Sequence, residues 1–293
     1  MKSMIKENKQ MYNTRMKVAI VGYGFVGKAT HNGLKNDVET LLIDPKLESS
    51  TEELKYFDAN YVFICVPTPM SNDGSIDISI IESVFIDLDK YCTNSIIVLK
   101  STVTPDIVES IINARSNVVY NPEFLRERTA DEDFINSELI IFGSSIDNCE
   151  KIASFYKDYT NCICKEYQFM PADKASLLKY TINSFLALKV LFFNEIYSIY
   201  QTLETNMGWQ DFIKVLQIDT RIGNSHMQVP GPDGRYGFGG ACFPKDTKAL
   251  HSFSSKIGAE SDLIRDAITI NNKIRSKYQT LDEREEEQNV NFI

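Results

Sequence analysis

The chain has 293 residues, 43% of them hydrophobic, which suffices for a sizeable core and about two domains. Its net charge of −9, with no basic block, disfavours nucleic acid and anionic membranes as partners. The six cysteines form no CxxC pair and no histidine cluster accompanies them, so we predict no metal site, reduced thiols and a cytoplasmic location.

The chain begins with a polar segment, residues 1–15, that has no apolar stretch typical of a secretory signal, and we predict a disordered tail there. A first domain is predicted over residues 16–170, because β-rich runs alternate with helical patterns. Seven runs are predicted as strands: VAIV, VETLLID, ANYVFICVPTP, NSIIVLKST, NVVYNPEF, SELIIFGS and NCICKEYQF. Helices are predicted between them, including 77–91, 105–114 and 147–158. This alternation predicts an α/β fold with a Rossmann-type, doubly wound parallel sheet.

A glycine-rich turn follows the first strand, with Gly22, Gly24 and Gly27 at GxGxxG spacing before a helix predicted over 28–34. In this context the spacing indicates a dinucleotide site, where the second glycine admits pyrophosphate to the helix N-terminus. Asp44 ends the second strand and is suited to bind a ribose diol, which favours NAD over NADP. The residues that we assign to NAD lie in this turn and at strand ends: Gly22, Gly24, Phe25, Val26, Gly27, Asp44, Pro67, Thr68 and Thr102.

The sequence pattern changes at Pro171, where a helical second domain is predicted over 171–281. Residues 172–207 contain no glycine or proline and predict one long helix, apolar nearly all round and therefore buried on several sides. Further helices are predicted from three segments: GWQDFIKVLQID, DTKALHSFSSKIG and SDLIRDAITINNKIRSKY. The end of the chain, residues 282–293, is predicted to be a charged, frayed tail.

The segment GFGGACFPKD, residues 237–246, places Cys242 between glycines and a Pro-Lys-Asp turn. Glycines let a backbone pass close to a ligand, and Lys245 beside a thiol favours the thiolate. A nucleophile in a ligand cradle and a plain surface turn both fit this pattern. On the long helix, Lys179 and Asn183 are four residues apart and share one face.

These motifs, in this order, resemble the UDP-glucose/GDP-mannose dehydrogenase family from Met16 to about Tyr278. The stretches that carry the resemblance are VAIVGYGFVG, FICVPTP, LKSTVTPD, NPEFLRE, LLKYTINSFLALKVLFFNEI, DTRIG and GFGGACFPKD. The resemblance implies a two-step oxidation of a nucleotide sugar's primary alcohol to a carboxylate with two NAD, UDP-glucose being the first candidate. Cys242 would capture the aldehyde as a thiohemiacetal and carry the thioester that water then releases.

The resemblance also implies roles for matched residues. Lys179 and Asn183 correspond to the pair that stabilises the oxyanion, and Asp246 to the acid that positions Lys179 and water. Thr102 and Glu127 correspond to the pair that holds a catalytic water, with Glu127 as a candidate base. The residues implied to bind the sugar substrate are Glu123, Phe124, Leu125, Arg126, Lys179, Asn183, Arg221, Phe238 and Gly239.

Family members continue into a third, Rossmann-like domain that holds much of the nucleotide, whereas this sequence stops at Ile293. The resemblance further implies a homodimer through the central helices, with Arg221 reaching the partner subunit's substrate. A separate chain supplying the third domain is a further expected partner. Two alternatives stay open: an idle NAD-binding or assembly protein, and a single-oxidation dehydrogenase of the hydroxyacid type that needs no thiol.

Overall fold

The computed structural model describes residues 15–164, 166–204 and 206–293, so the predicted tail over 1–15 lies, Arg15 aside, outside the described residues. Within the described chain, seven strands form one sheet in the order β2-β1-β3-β4-β5-β6-β7. The strands are β1 Lys17–Val21, β2 Glu39–Ile43, β3 Tyr61–Ile64, β4 Ile96–Leu99, β5 Val118–Tyr120, β6 Ile140–Gly143 and β7 Tyr167–Met170. The predicted sheet is confirmed.

The sheet is parallel except at one pair, β5 with β6, where Tyr120 faces Gly143 in antiparallel register. Successive residues of β1 enter separate cores on the two faces, Ala19 and Val21 on one, Val18 and Ile20 on the other. A strand buried on both faces reads as a continuous apolar run, which is why the sequence predicts these strands well.

The helices of the first domain cover both faces of the sheet and connect its strands. They are α1 Phe25–Asn32, α2 Leu54–Phe57, α3 Ser79–Tyr91, α4 Pro105–Ala114, α5 Ala130–Ile135 and α6 Ile146–Tyr159. The first of them begins at Phe25, three residues before the predicted start, which brings Gly27 into its first turn.

The second part of the described chain is helical, and its long helix packs on α4 and on strands β5 and β6. Its helices are α7 Ala172–Gln201, α8 Trp209–Leu216, α9 Phe243–Lys256, α10 Asp262–Arg275 and α11 Glu283–Glu287. The prediction that α7 runs to residue 207 is wrong, because the chain turns back after Gln201. The indole of Trp209 packs on the rings of Tyr197 and Tyr200, with centroids 5.0 and 5.3 Å apart.

Helix α9 begins at Phe243, three residues earlier than predicted, and Cys242 is its N-cap residue. Pro244 lies in the first turn, where its missing N–H costs no helical hydrogen bond. The Pro-Lys-Asp segment, predicted as a turn, is therefore the first turn of a helix.

The C-terminal segment, residues 282–293, is folded, so the prediction of a frayed tail is wrong. Asp282 and Glu285 form a capping box that starts α11. The carbonyl of Gln288 accepts a hydrogen bond from the Met70 N–H at 2.9 Å, and the Lys248 ammonium donates to the Asn291 carbonyl at 2.8 Å. These contacts hold the segment against both domains.

Helix α7 is the one described helix long and apolar enough to cross a membrane, and half of its most apolar window is buried within the protein. Its remaining apolar side chains form an exposed stripe at seven-residue intervals, Phe185, Phe192 and Ile199, which are 62%, 56% and 58% exposed.

Candidate active site

The turn after β1 has the shape that its glycines predict. Gly22 has a φ of +92°, and a Cβ there would lie 2.6 Å from the Cys65 carbonyl oxygen. A Cβ on Gly27 would lie 2.0 Å from the Gly22 carbonyl oxygen, so α1 approaches the turn only with glycine. A Cβ on Gly24 would meet nothing within 4 Å, which leaves open space beside the N-terminus of α1.

The residues around this open space fit a dinucleotide. Phe25 and Val26 open α1, whose first N–H groups and helix dipole favour a pyrophosphate. The two Asp44 carboxylate oxygens accept hydrogen bonds from the Tyr23 N–H at 2.7 Å and the Lys46 N–H at 2.8 Å. The acid is thus held in a fixed orientation at the end of β2, where a ribose diol needs an acceptor.

Two loops at the carboxyl ends of neighbouring strands are tied together. The buried Thr68 hydroxyl, after β3, donates to the Thr102 carbonyl, after β4, at 3.0 Å. Pro67 beside it is exposed. Because ligands of open α/β sheets bind outside the carboxyl ends of strands, these loops lie where a ligand is expected.

Lys179 is buried, with 3% exposure, and its ammonium pairs with the Glu123 carboxylate at 3.0 Å. It also donates to the Glu123 carbonyl and lies 5.3 Å from the centroid of the Phe124 ring. Burial alone lowers the pKa of Lys179, but the charges of Glu123 and Asp246 more than offset this and raise it. The side chain is therefore a fixed positive charge.

Asp246 joins α7 to α9 through hydrogen bonds at both carboxylate oxygens. One accepts from the Asn183 amide at 2.6 Å and the other from the Lys245 ammonium at 2.8 Å. All three side chains are buried. The expected partnership of Asp246 with Lys179 is thus replaced by a direct Lys179–Glu123 pair, and Asp246 acts on Lys179 through its charge.

Cys242 is half-buried at the start of α9, beside this cluster of charges. Burial, reinforced by the carboxylates of Asp246 and Glu123, raises the pKa of its thiol to about 11. Lys179 and Lys245 lower it by less. The expectation that Lys245 makes Cys242 a thiolate is not met, because burial and the two carboxylates raise the pKa by more than the two lysines lower it.

The resemblance implies that Glu127 and Thr102 together hold a catalytic water, and that role stays a prediction. Glu127 forms an ion pair with the Arg284 guanidinium at 2.9 Å, while Arg284 also lies over the Phe25 ring at 5.6 Å. The C-terminal segment thus reaches the mouth of the cofactor site.

Comparison with known proteins now identifies the family. Residues 29–160 match the UDP-glucose/GDP-mannose dehydrogenase family, NAD binding domain, and residues 173–273 match the central domain of the same family. The chain belongs to this family of nucleotide-sugar dehydrogenases. Its N-terminal domain is the family's NAD-binding domain, in agreement with the glycine turn and Asp44.

The chain is similar to UDP-glucose 6-dehydrogenase of Rickettsia bellii (strain RML369-C), with 36% identity over 236 residues, 76% of this chain and 51% of that protein. It thus spans about half the length of the curated relatives that it matches. A UDP-glucose dehydrogenase structure from Pyrobaculum islandicum superposes with a TM-score of 0.73 at 25% identity, covering 92% of this chain and 70% of that one.

A structure of 3-hydroxyisobutyrate dehydrogenase from Mycobacterium tuberculosis has a TM-score of 0.69 at 17% identity. It covers 91% of this chain and 96% of its own. This likeness shows that the same fold occurs in a hydroxyacid dehydrogenase.

Two arginines that family resemblance assigns to the substrate lie outside the crevice. Arg126 pairs with Asp133 at 2.5 Å on the surface. Arg221 pairs with Asp219, and its side chain is 88% exposed. The Leu125 N–H donates a hydrogen bond to the Glu123 carboxylate at 2.6 Å.

Phe238 also departs from its predicted role in binding substrate. Its ring is buried with Ala187 and Leu191, and its N–H and carbonyl both bond the Asn271 amide, at 2.7 and 2.9 Å. Gly239 lies close against Arg275, since a Cβ on this glycine would lie 2.2 Å from the Arg275 guanidinium. Both residues therefore anchor the loop before Cys242, and the glycine leaves room for Arg275.

Three residues that sequence reasoning missed support this loop from elsewhere in the chain: Asn271, Arg275 and Glu285. Arg275 is 2% exposed and Glu285 is 0% exposed. A charged residue in a helical pattern usually faces water, so these positions give no local signal. Only the fold shows that the charges pair in the interior.

Proposed function

We propose that this protein is an NAD-dependent nucleotide-sugar dehydrogenase that oxidises UDP-glucose to UDP-glucuronate through a thiohemiacetal and a thioester on Cys242. The observation that supports this most is the cluster around Cys242, where Lys179, Asn183, Glu123 and Asp246 meet at one end of α9. Buried charges that converge beside a thiol in a crevice are expected of a catalytic site.

NAD, when bound in the first domain, supplies the hydride acceptor for each oxidation. The chain's own residues supply the rest. The Cys242 sulfur adds to the aldehyde carbon and forms the thiohemiacetal, while its proton leaves to a base or solvent. Lys179 and Asn183 stabilise the negative charge that develops on the sugar oxygen.

The second oxidation converts the thiohemiacetal to a thioester, which then needs water. Water attack forms the C–O bond, breaks the C–S bond and returns Cys242 as a thiol, giving the carboxylate. Glu127 is the proposed base for this water, and it becomes available when Arg284 releases it.

The raised pKa of Cys242 fits a thiol that becomes nucleophilic only when the aldehyde is present. A thiol that stays protonated in the unliganded crevice avoids unproductive oxidation and alkylation. Deprotonation is then coupled to arrival of the aldehyde. The idle NAD-binding alternative has no need of this set of buried charges.

The test is a panel of nucleotide sugars with NAD, followed at 340 nm. Formation of two NADH per UDP-glucose supports the double oxidation, and formation of one supports a hydroxyacid-type single oxidation. Cys242→Ser should stop acid production after the aldehyde, with loss of at least about 10³-fold in turnover. Full acid production by this variant refutes covalent catalysis, and NAD binding without turnover of any sugar supports the idle alternative.

We also propose that the protein acts in the cytoplasm as a homodimer, with no nucleic acid or membrane partner. The exposed stripe of Phe185, Phe192 and Ile199 on α7 is an apolar face that a second copy would cover. The exposure of Arg221 suits a role in the partner subunit's crevice. Phe192→Glu should convert a dimer to a monomer in light scattering, and an already monomeric wild type would contradict the proposal.

A separate chain that completes the nucleotide end of the substrate site is the remaining proposed partner. Turnover of UDP-glucose by the purified chain alone would show that such a partner is unnecessary.

A further inference from the structure

The C-terminal segment, residues 282–293, lies between the two halves of the proposed active site. Neighbouring residues of α11 point in opposite directions, Arg284 to Glu127 at the cofactor side and Glu285 to the loop before Cys242. Lys46, which follows the ribose-binding Asp44, pairs with Glu287 at 3.3 Å. Helix α11 therefore contacts residues near both the cofactor turn and the loop before Cys242.

Glu285 is the most deeply buried acid of this segment, with 0% exposure. Its Oε1 atom accepts hydrogen bonds from the Gly240 N–H at 3.0 Å and from Arg275 at 2.7 Å. Arg275 in turn pairs with Asp233 at 2.6 Å. A buried acid with this many donors costs free energy to place and stabilises one geometry strongly.

The loop of residues 237–240 needs such external support, because it is rich in glycine. Gly237 and Gly240 both have φ of +76°, a region that glycine enters freely and also leaves freely. Three distant side chains fix its backbone: Asn194 accepts from the Gly237 N–H, Asn271 brackets Phe238, and Glu285 accepts from the Gly240 N–H.

Of these three side chains, Glu285 acts nearest to the thiol, because the Gly240 N–H that it binds lies only two residues before Cys242. The Gly240 N–H has its orientation fixed by this bond, and the chain then passes through Ala241 into the N-cap of α9. A displacement of about 1 Å in a nucleophile costs on the order of 10²-fold in rate.

We propose that Glu285 is a positioning residue for Cys242, so that the C-terminal segment is part of the catalytic apparatus. This inference rests on the proposed nucleophilic role of Cys242. Its essential atom is the carboxylate oxygen that reaches the Gly240 N–H, and its charge toward Arg275 is secondary.

Two conservative variants separate reach from charge. Glu285→Gln keeps an oxygen at the same distance from Gly240 and Arg275, but it removes the charge and replaces the oxygen that accepts from the Asp282 N–H. Glu285→Asp keeps the charge but shortens the side chain by one methylene, which withdraws Oε1 from both Gly240 and Arg275. The exposed Glu283 provides matched controls, Glu283→Gln and Glu283→Asp.

The measurements are kcat and the KM for NAD with UDP-glucose, together with thermal unfolding. Glu285→Asp should lower kcat by at least about tenfold with the KM for NAD within about twofold, while Glu285→Gln stays within about threefold of wild type. Both Glu283 variants should match wild type. If the Gln variant is impaired and the Asp variant is active, Glu285 is a structural charge partner of Arg275 and the proposal is wrong. Equal losses of kcat in the two variants, or no loss in either, also overturn it.

A second readout needs no turnover and separates failure of this inference from failure of the proposed function. The rate of Cys242 alkylation by iodoacetamide is followed by mass spectrometry of its peptide, at one pH. Glu285→Asp should raise this rate at least about threefold by loosening the loop around the half-buried thiol, and Glu285→Gln should not. Equal rates in wild type and Glu285→Asp overturn the positioning role even if no sugar is turned over.

Discussion

The cofactor turn, residues 22–27, and the loop before the nucleophile, residues 237–240, are both rich in glycine but are held in different ways. In the cofactor turn, crowding by adjacent backbone fixes the shape, as at Gly27 against the Gly22 carbonyl. In the nucleophile loop, side chains from α7, α10 and α11 fix it through hydrogen bonds. Glycine spacing is therefore informative about the first region and ambiguous for the second.

The largest expected effect comes from filling the space at Gly27. Gly27→Val places side-chain atoms where even a Cβ lies 2.0 Å from backbone oxygen, so we expect loss of measurable NAD binding and destabilisation of about 3 kcal/mol or more. Urea unfolding and calorimetric titration with NAD measure both. Gly24→Ala is the matched control for the fold, because its Cβ meets open space, and an equally unstable Gly24→Ala would contradict the crowding argument.

The next effect is on the reactivity of Cys242. Because its pKa is raised to about 11, the thiolate fraction rises as pH increases toward that value. Alkylation of Cys242 in the absence of ligands should accelerate about tenfold per pH unit, roughly 100-fold from pH 7 to 9. A rate that levels off below pH 8 would show a low-pKa thiolate and reinstate the influence of Lys245.

A smaller effect is expected from loosening the nucleophile loop at its centre. Asn271→Ala removes both hydrogen bonds to Phe238 and should cost about 1–3 kcal/mol of stability and about tenfold in kcat. The neighbouring Asn272→Ala serves as the control, since the Asn272 amide donates to the Ile293 carbonyl and not to the loop before Cys242 among the described residues. Unchanged kcat in Asn271→Ala would mean that the loop needs no outside support.

The smallest effect is expected at Arg126, which belongs to neither region. Its pairing with Asp133 is a surface ion pair, so Arg126→Ala should change stability by less than about 1 kcal/mol and kcat by less than about twofold. Denaturant titration and the NADH assay check this. A tenfold rise in the KM for UDP-glucose would instead restore the substrate role that family resemblance implies.

The fold could be predicted from the sequence largely because β1 and its neighbours are short apolar runs bounded by polar residues. The predicted ends of helices were wrong where tertiary contacts decide them, as at the end of α7, where Trp209 packs back on Tyr197 and Tyr200. Candidate site residues could be named from the sequence where motifs are contiguous, as around Cys242. Their partners were not predictable where these come from far along the chain, as Arg284 does for Glu127.

The sequence by itself determined the doubly wound sheet, the dinucleotide turn and the family, because backbone sterics and apolar periodicity act over a few residues. Tertiary structure alone decided which partners the buried charges meet: Lys179 with Glu123, Asp246 with Asn183 and Lys245, and Glu285 with the loop before Cys242. The reason is that the energy of a buried charge depends on its neighbours in space, and residues 240 and 285 become neighbours only when the chain folds.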